Sequence, residues 1–229
     1  MKTRRPPRRD VGCAPAYRPG SACQSKRPGR RASGLESRAD EADGARLVGV
    51  AIVFYGLLFA AALIWARLEG RPLAIRSQGI EVSWLRDVAL GLATAAALVV
   101  ASRALTAATS AGRALADALA GVLGRPGLGV CLALAAISGI AEEAFFRGAL
   151  QPRVGLVVAS GLFAAAHFAP RREFLPWPFF AFAAGLAFGA LFDATGSLVA
   201  PVVAHAGVNA WNLRWLSMRA RDRSRGSVA

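Results

Sequence analysis

Residues 128–167 read LGVCLALAAISGIAEEAFFRGALQPRVGLVVASGLFAAAH. The stretch is apolar over more than the ~20 residues a helix needs to cross a bilayer. It is interrupted at Pro152-Arg153-Val154-Gly155, a sequence that stops helices. It therefore reads as two apolar helices, Leu128 to about Arg153 and Leu156–Phe168, joined by a turn near Gly155. Ionisable groups sit inside both: Glu142 and Glu143 in the first, His167 in the second. Such groups are expensive at membrane depth, and they mark functional sites by default.

The flanking sequence repeats the apolar pattern. Leu47–Ala66 is the clearest span, and Leu85–Ala101 is a second. Residues 105–123 are Ala-rich, carry Arg113 and Asp117 at i,i+4, and end at Gly124-Arg125-Pro126, which suits an interfacial helix. Residues 175–192 form a Phe-rich span, and Ser197–Leu213 forms another that carries His205. The expected fold is all-α: a polytopic membrane bundle of about six transmembrane helices plus one interfacial helix. The membrane domain covers 46–213, with residues 1–45 a disordered basic tail and 214–229 a basic tail on the cytoplasmic side. Residues 1–45 lack the apolar core and cleavage site of a signal peptide.

Composition agrees. Over half of the 229 residues are apolar (55%), yet the net charge is +14, with the basic residues gathered at the two ends. Basic ends beside membrane segments indicate topology and lipid headgroups, not nucleic acid. With six spans, the N-terminal tail, the 102–127 connection, the 169–174 loop and the C-terminal tail share one side. Both termini are then cytoplasmic in an integral membrane protein, expected in a bacterial cytoplasmic membrane. The loop 67–86, with Arg67, Arg71, Arg76 and Arg86, runs against this rule and is only partly balanced by Glu69, Glu81 and Asp87. The three cysteines, Cys13, Cys23 and Cys131, form no CxxC and no zinc spacing.

A turn near Gly155 brings Glu142 and His167 to one height, each roughly 18 Å from the turn. His205 lies roughly 14 Å past the Asp193–Gly196 turn. All can share a layer with Asn209, one turn from His205. Glu143 and Arg147 are i,i+4, as are His205 and Asn209, and Phe163 stands four before His167. Paired carboxylates in a low dielectric resist double ionisation. One of them beside an imidazole is suited to activating water, and a second imidazole with an amide is suited to an oxyanion. That grouping fits hydrolysis of an amide bond. No GxSG and no HExxH is present. Taken singly, Phe163 reads as core packing and Arg147 as a structural partner.

The motifs occur in order: Glu142-Glu143-Ala144-Phe145-Phe146-Arg147-Gly148 (EExxFRG), Phe163 to His167 (FxxxH), His205 to Asn209 (HxxxN). Together, over about residues 128–213, they resemble the CPBP (Abi, CAAX-protease-like) family of intramembrane endopeptidases. The resemblance implies a peptidase acting on a membrane-associated substrate, either prenylated and CAAX-type or bacteriocin-related. It implies Glu142 as the catalytic carboxylate, acting with His167 on water, supported by Glu143 and Arg147, with His205 and Asn209 on the oxyanion. No cofactor is expected. The competing reading of the same site is zinc-dependent, with Glu142, His167 and His205 as ligands. A proton or ion transporter is a further alternative, disfavoured because no internal repeat is apparent. So is a non-catalytic scaffold or immunity protein.

Overall fold

The computed structural model describes residues 29–71, 73 and 81–226. Every regular element among them is helical: α1 (Gly29–Leu68), α2 (Trp84–Ala108), α3 (Ser110–Leu123), α4 (Leu128–Glu143), a π-helical segment (Ala144–Leu150), α5 (Gln151–Ala166), a 3-10 turn (Arg172–Phe174), α6 (Pro176–Thr195) and α7 (Val199–Gly226). The architecture is an all-α membrane helical bundle. Among the described residues, four segments are long and apolar enough to cross a bilayer: Asp43–Leu68, Trp84–Ala108, Leu128–Ala166 and Arg172–Thr195.

The difference from about six spans has two physical sources. The third and fourth expected spans are one apolar segment that reverses direction at Gly155, whose φ of 81° and ψ of 167° break the helix. The arm beyond it, Leu156–Ala166, is roughly 16 Å long, half of the ~30 Å hydrocarbon core. The last expected span continues past Leu213, and its arginines raise the polarity of the whole helix.

Both expected tails are partly helical. Residues 1–28 lie outside the described residues, but α1 begins at Gly29. Arg, Ala, Leu and Glu dominate 29–45, all good helix formers, and extending an existing helix costs little. At the other end α7 runs to Gly226 because its basic stretch has partners. Ser217 donates to the Pro126 carbonyl at 2.7 Å, and Arg219 pairs with Asp117 at 2.7 Å.

The expected interfacial helix is α3, entered through Thr109, whose hydroxyl accepts from the Gly112 amide. Its buried face is Gly112, Leu115, Ala116 and Ala120, an i, i+3, i+4, i+8 stripe. Ala116 and Ala120 pack on Leu216 of α7. The hydrogen bond from Arg219 holds the Asp117 carboxyl below the usual carboxylate range. The tie therefore persists through mild acid and loosens only as pH falls through that depressed value.

α7 is the central element, packed on α2, α4, α3 and α6. The end of the bundle holding Gly155 is fastened by fully buried Asp87, which accepts from Ser197 at 2.6 Å and pairs with Arg86 at 2.8 Å. Two charges of the loop that opposes the topology rule, Arg86 and Asp87, are thus consumed structurally. Glu69 pairs with Arg153 at the same end. The opposite end holds Pro126, Ser217 and the α3–α7 contact.

The Gly155 turn gives the first prediction. Its backbone angles are reached by glycine almost alone, at a cost of about 1–3 kcal/mol for other residues. A Cβ there would meet nothing within 4 Å, so the cost is purely conformational. Gly155→Ala should lower the melting temperature of the detergent-solubilised protein. Gly161→Ala, equally open but helical, should not; equal shifts would show that the turn is not conformationally demanding.

Candidate active site

The hairpin at Gly155 lays α5 back along the segment before it. Phe146 meets Phe163 with ring centres 5.1 Å apart, and Glu142 Oε2 faces His167 Nε2 at 3.9 Å. His167 caps α5, and its Nδ1 lies 2.8 Å from the Phe163 carbonyl. A carbonyl only accepts, so Nδ1 carries the proton, and Nε2 of the neutral ring turns its lone pair toward Glu142. A gap of 3.9 Å is too long for a direct hydrogen bond and suits a shared water molecule. The Tyr55 hydroxyl of α1 also hydrogen-bonds the Glu142 carboxylate.

Glu143 points the other way, into a buried network. Its Oε1 accepts from Arg147 Nη1 at 3.1 Å and from His205 Nδ1 at 2.7 Å. Arg147 Nη2 donates to the Gly185 carbonyl at 3.0 Å. A Cβ on residue 185 would stand 3.4 Å from that nitrogen and 3.2 Å from the Ser160 side chain, so glycine lets α6 approach this closely. His205 stacks on Phe188 with centres 5.0 Å apart and planes at 16°.

Exposure separates the two carboxylates. The side chains of His167 and Glu142 are 18% and 10% exposed, whereas Arg147, Glu143 and His205 lie between 0% and 4%. Glu142 and His167 are reachable; the Glu143 network is enclosed behind them. Phe163 joins the two layers, its ring 4.5 Å from His167, 5.8 Å from His205 and 4.5 Å from the Arg147 guanidinium carbon.

Asn209 is one turn beyond His205 and donates to the Ser138 hydroxyl at 3.0 Å. It lines a pocket of about 180 Å³ between α2, α3, α6 and α7. Trp177 forms another wall of that pocket, and its ring lies 5.3 Å from His167. Trp177 thus borders both the pocket and His167.

Two contributors escaped sequence reading. The Glu142-Glu143 pair runs directly into the π-helical segment Ala144–Leu150, a device concentrated at functional sites. Tyr55 comes from a helix that reads only as a generic span, so nothing local signalled its contact with Glu142.

The zinc set fits poorly. Among the described residues no three of His, Cys, Asp and Glu gather as a metal site. Glu142 and His167 are near each other, but His205 turns its Nδ1 to Glu143.

Against this geometry, residues 125–211 match the model of a known family, described as type II CAAX prenyl endopeptidase Rce1-like. That segment is similar to the Rce1-like family. It contains Glu142, Glu143, Arg147, Phe163, His167, His205 and Asn209, while Tyr55 and α2 fall outside the matched Rce1-like residues. The chain is also similar to the uncharacterized protein YpbD of Bacillus subtilis (strain 168). The two are 42% identical over 67 residues, 28% of this chain and 34% of that protein. The chain thus spans about a third of the length of the curated relative it matches. No solved structure matches it.

Proposed function

We propose that the protein is a CAAX-type intramembrane endopeptidase that hydrolyses a peptide bond of a membrane-associated substrate. The observation that carries this reading is the Glu142–His167 pair, 3.9 Å apart and more exposed than the Glu143 network behind it. Glu142 accepts a proton from a water held between the two side chains as the oxygen attacks the scissile carbonyl. His167 orients that water through Nε2, fixed by its Nδ1–H bond to Phe163. Tyr55 positions Glu142 from the other side.

Asn209 faces the pocket and donates to the oxyanion of the tetrahedral intermediate. His205 shares that task through Nε2–H when its ring is doubly protonated, since Nδ1–H is given to Glu143. Glu143 and Arg147 hold His205 in place and do not touch the reacting atoms. The glutamate mechanism is favoured over a metal one because His205 is turned into the Glu143 network, away from the Glu142–His167 pair. The protein sits in a bacterial cytoplasmic membrane with both termini inside, and its substrate is prenylated and CAAX-type or bacteriocin-related.

Quantitative membrane proteomics of cells with and without this protein tests the reading. A membrane-associated protein should appear in shortened form only when this chain is present, and its cleavage in purified membranes should persist in excess chelator. Identical peptide termini in both samples would remove the peptidase assignment; chelator-abolished cleavage, restored by zinc, would move it to a metal mechanism.

A further inference from the structure

The end of the bundle that holds α3 carries a second concavity, apart from the pocket that Asn209 lines. It is a groove of about 670 Å³ between α3 and the 3-10 turn, with Asp117, Gly121 and Val122 on one wall and Arg171, Arg172 and Phe174 on the other. Arg171 and Arg172 are exposed, and neither guanidinium is paired with a carboxylate among the described residues. Asp117 is already held by Arg219 and Arg223. The remaining carboxylate of the lining is Glu173. Arg171, Arg172, Arg219 and Arg223 are thus set against Asp117 and Glu173, which leaves positive charge in excess.

The depth of the groove is that of lipid headgroups. α7 starts at Val199, at the Gly155 end of the bundle. Arg219, the partner of Asp117, is roughly 30 Å of helix rise further along α7, which is about the thickness of a hydrocarbon core. Val122, Phe168 and Leu175, on the same elements, keep exposed apolar side chains. The groove also connects inward. Phe174 is buried, with its ring 6.0 Å from that of Trp177, and Trp177 lies 5.3 Å from His167. In the main chain, only Phe168-Ala169-Pro170 separates His167 from Arg171.

We infer that this groove binds the phosphodiester headgroup of an anionic phospholipid through Arg171 and Arg172, and that the bound lipid steadies the loop that positions His167. Planar guanidiniums match phosphate oxygens, and basic clefts at a membrane boundary collect anionic headgroups. The turn itself is held by short backbone bonds: the Arg171 carbonyl accepts from the Phe174 amide at 3.0 Å, and the Arg172 carbonyl accepts from the Leu175 amide at 3.2 Å. A headgroup on both guanidiniums adds an outside anchor. The packed series Phe174, Trp177, His167 carries that restraint to the ring. An acidic peptide would meet the charge, but boundary depth and exposed apolar neighbours favour lipid. Any effect on cleavage rests on the peptidase reading of His167; the binding itself does not.

The test uses the full chain in phosphatidylcholine nanodiscs, with and without phosphatidylglycerol. Native mass spectrometry counts the phosphatidylglycerol that the protein retains. Acylation by diethyl pyrocarbonate reads His167, because the other histidine, His205, is buried. Phosphatidylglycerol should be retained and should slow acylation of His167 about fivefold or more, the low end of ordinary coupling between sites. Arg171→Gln with Arg172→Gln should retain less lipid and lose the slowing. Arg171→Lys with Arg172→Lys should keep most of both, which separates charge from misfolding. Arg4→Gln with Arg5→Gln removes the same charge from the N-terminal stretch and should change neither. Equal lipid loss from the Arg4/Arg5 pair would reduce the effect to bulk charge and overturn the site. Lipid retained at Arg171 and Arg172 with His167 acylated at an unchanged rate would overturn the coupling. Soluble hexaglutamate binding through these arginines, with no phosphatidylglycerol retained, would overturn the lipid assignment and give the groove to an acidic protein segment. Cleavage on the same discs tests the peptidase reading separately. Lipid-dependent protection of His167 without any cleavage would sink that reading alone; cleavage with no dependence on phosphatidylglycerol in retention, acylation or rate would sink this inference alone.

Discussion

Glu142→Gln is expected to reduce cleavage by about 10²–10⁴-fold, the range a positioned general base contributes, while the protein still accumulates in the membrane. The amide keeps the volume and can still meet Tyr55, so packing is preserved; what disappears is the ability to take a proton from water. His167→Ala should cause a loss of similar size, because the lone pair that orients the water is gone. The double variant should be little worse than either single one, since groups that act as a unit are not additive. Initial rates on a substrate identified in the proteomic comparison, normalised to membrane protein level, decide this. Losses that multiply would mean that Glu142 and His167 work on separate steps.

The second large effect concerns stability. Glu143, Arg147 and His205 form a buried network in which Glu143 Oε1 accepts from both partners. Removing one member of a buried ion pair costs about 3–5 kcal/mol, because the other is left charged and unpaired. Arg147→Met should therefore lower the melting temperature by roughly 10 °C, at about 2–4 °C per kcal/mol for a chain of this size. Pairing it with Glu143→Gln should recover part of the loss, since no uncompensated charge remains. Recovery will be incomplete because Arg147 also donates to the Gly185 carbonyl at 3.0 Å. A double variant no more stable than Arg147→Met would indicate that packing, not charge pairing, dominates here.

The contrast between the two carboxylates explains what could be read in the chain. The Gly155 turn was legible because Pro152-Arg153-Val154-Gly155 is a local stop signal, and the hairpin it predicts sets Glu142 opposite His167. The Glu143–Arg147 pair was legible from i,i+4 spacing. Which carboxylate stays accessible beside His167 was not, because that depends on α6 and α7 closing over Glu143. The π-helical segment left no spacing signal, since it alters hydrogen-bond register without altering composition. Span count was misleading where length alone was used: a half-length arm ending at His167 looks, in composition, like a short transmembrane helix. Arg171 and Arg172, likewise, read as ordinary loop charge until α3 is seen to form a groove beside them.

Nothing isolates the central claim better than the activity of reconstituted Glu142→Gln protein measured per folded molecule, with melting recorded on the same nanodisc sample. The expected result is a melting transition within a few degrees of wild type and no detectable product over the time in which wild type converts all substrate. A normally folded Glu142→Gln protein that still cleaves would contradict the assignment of Glu142 as the group that activates water.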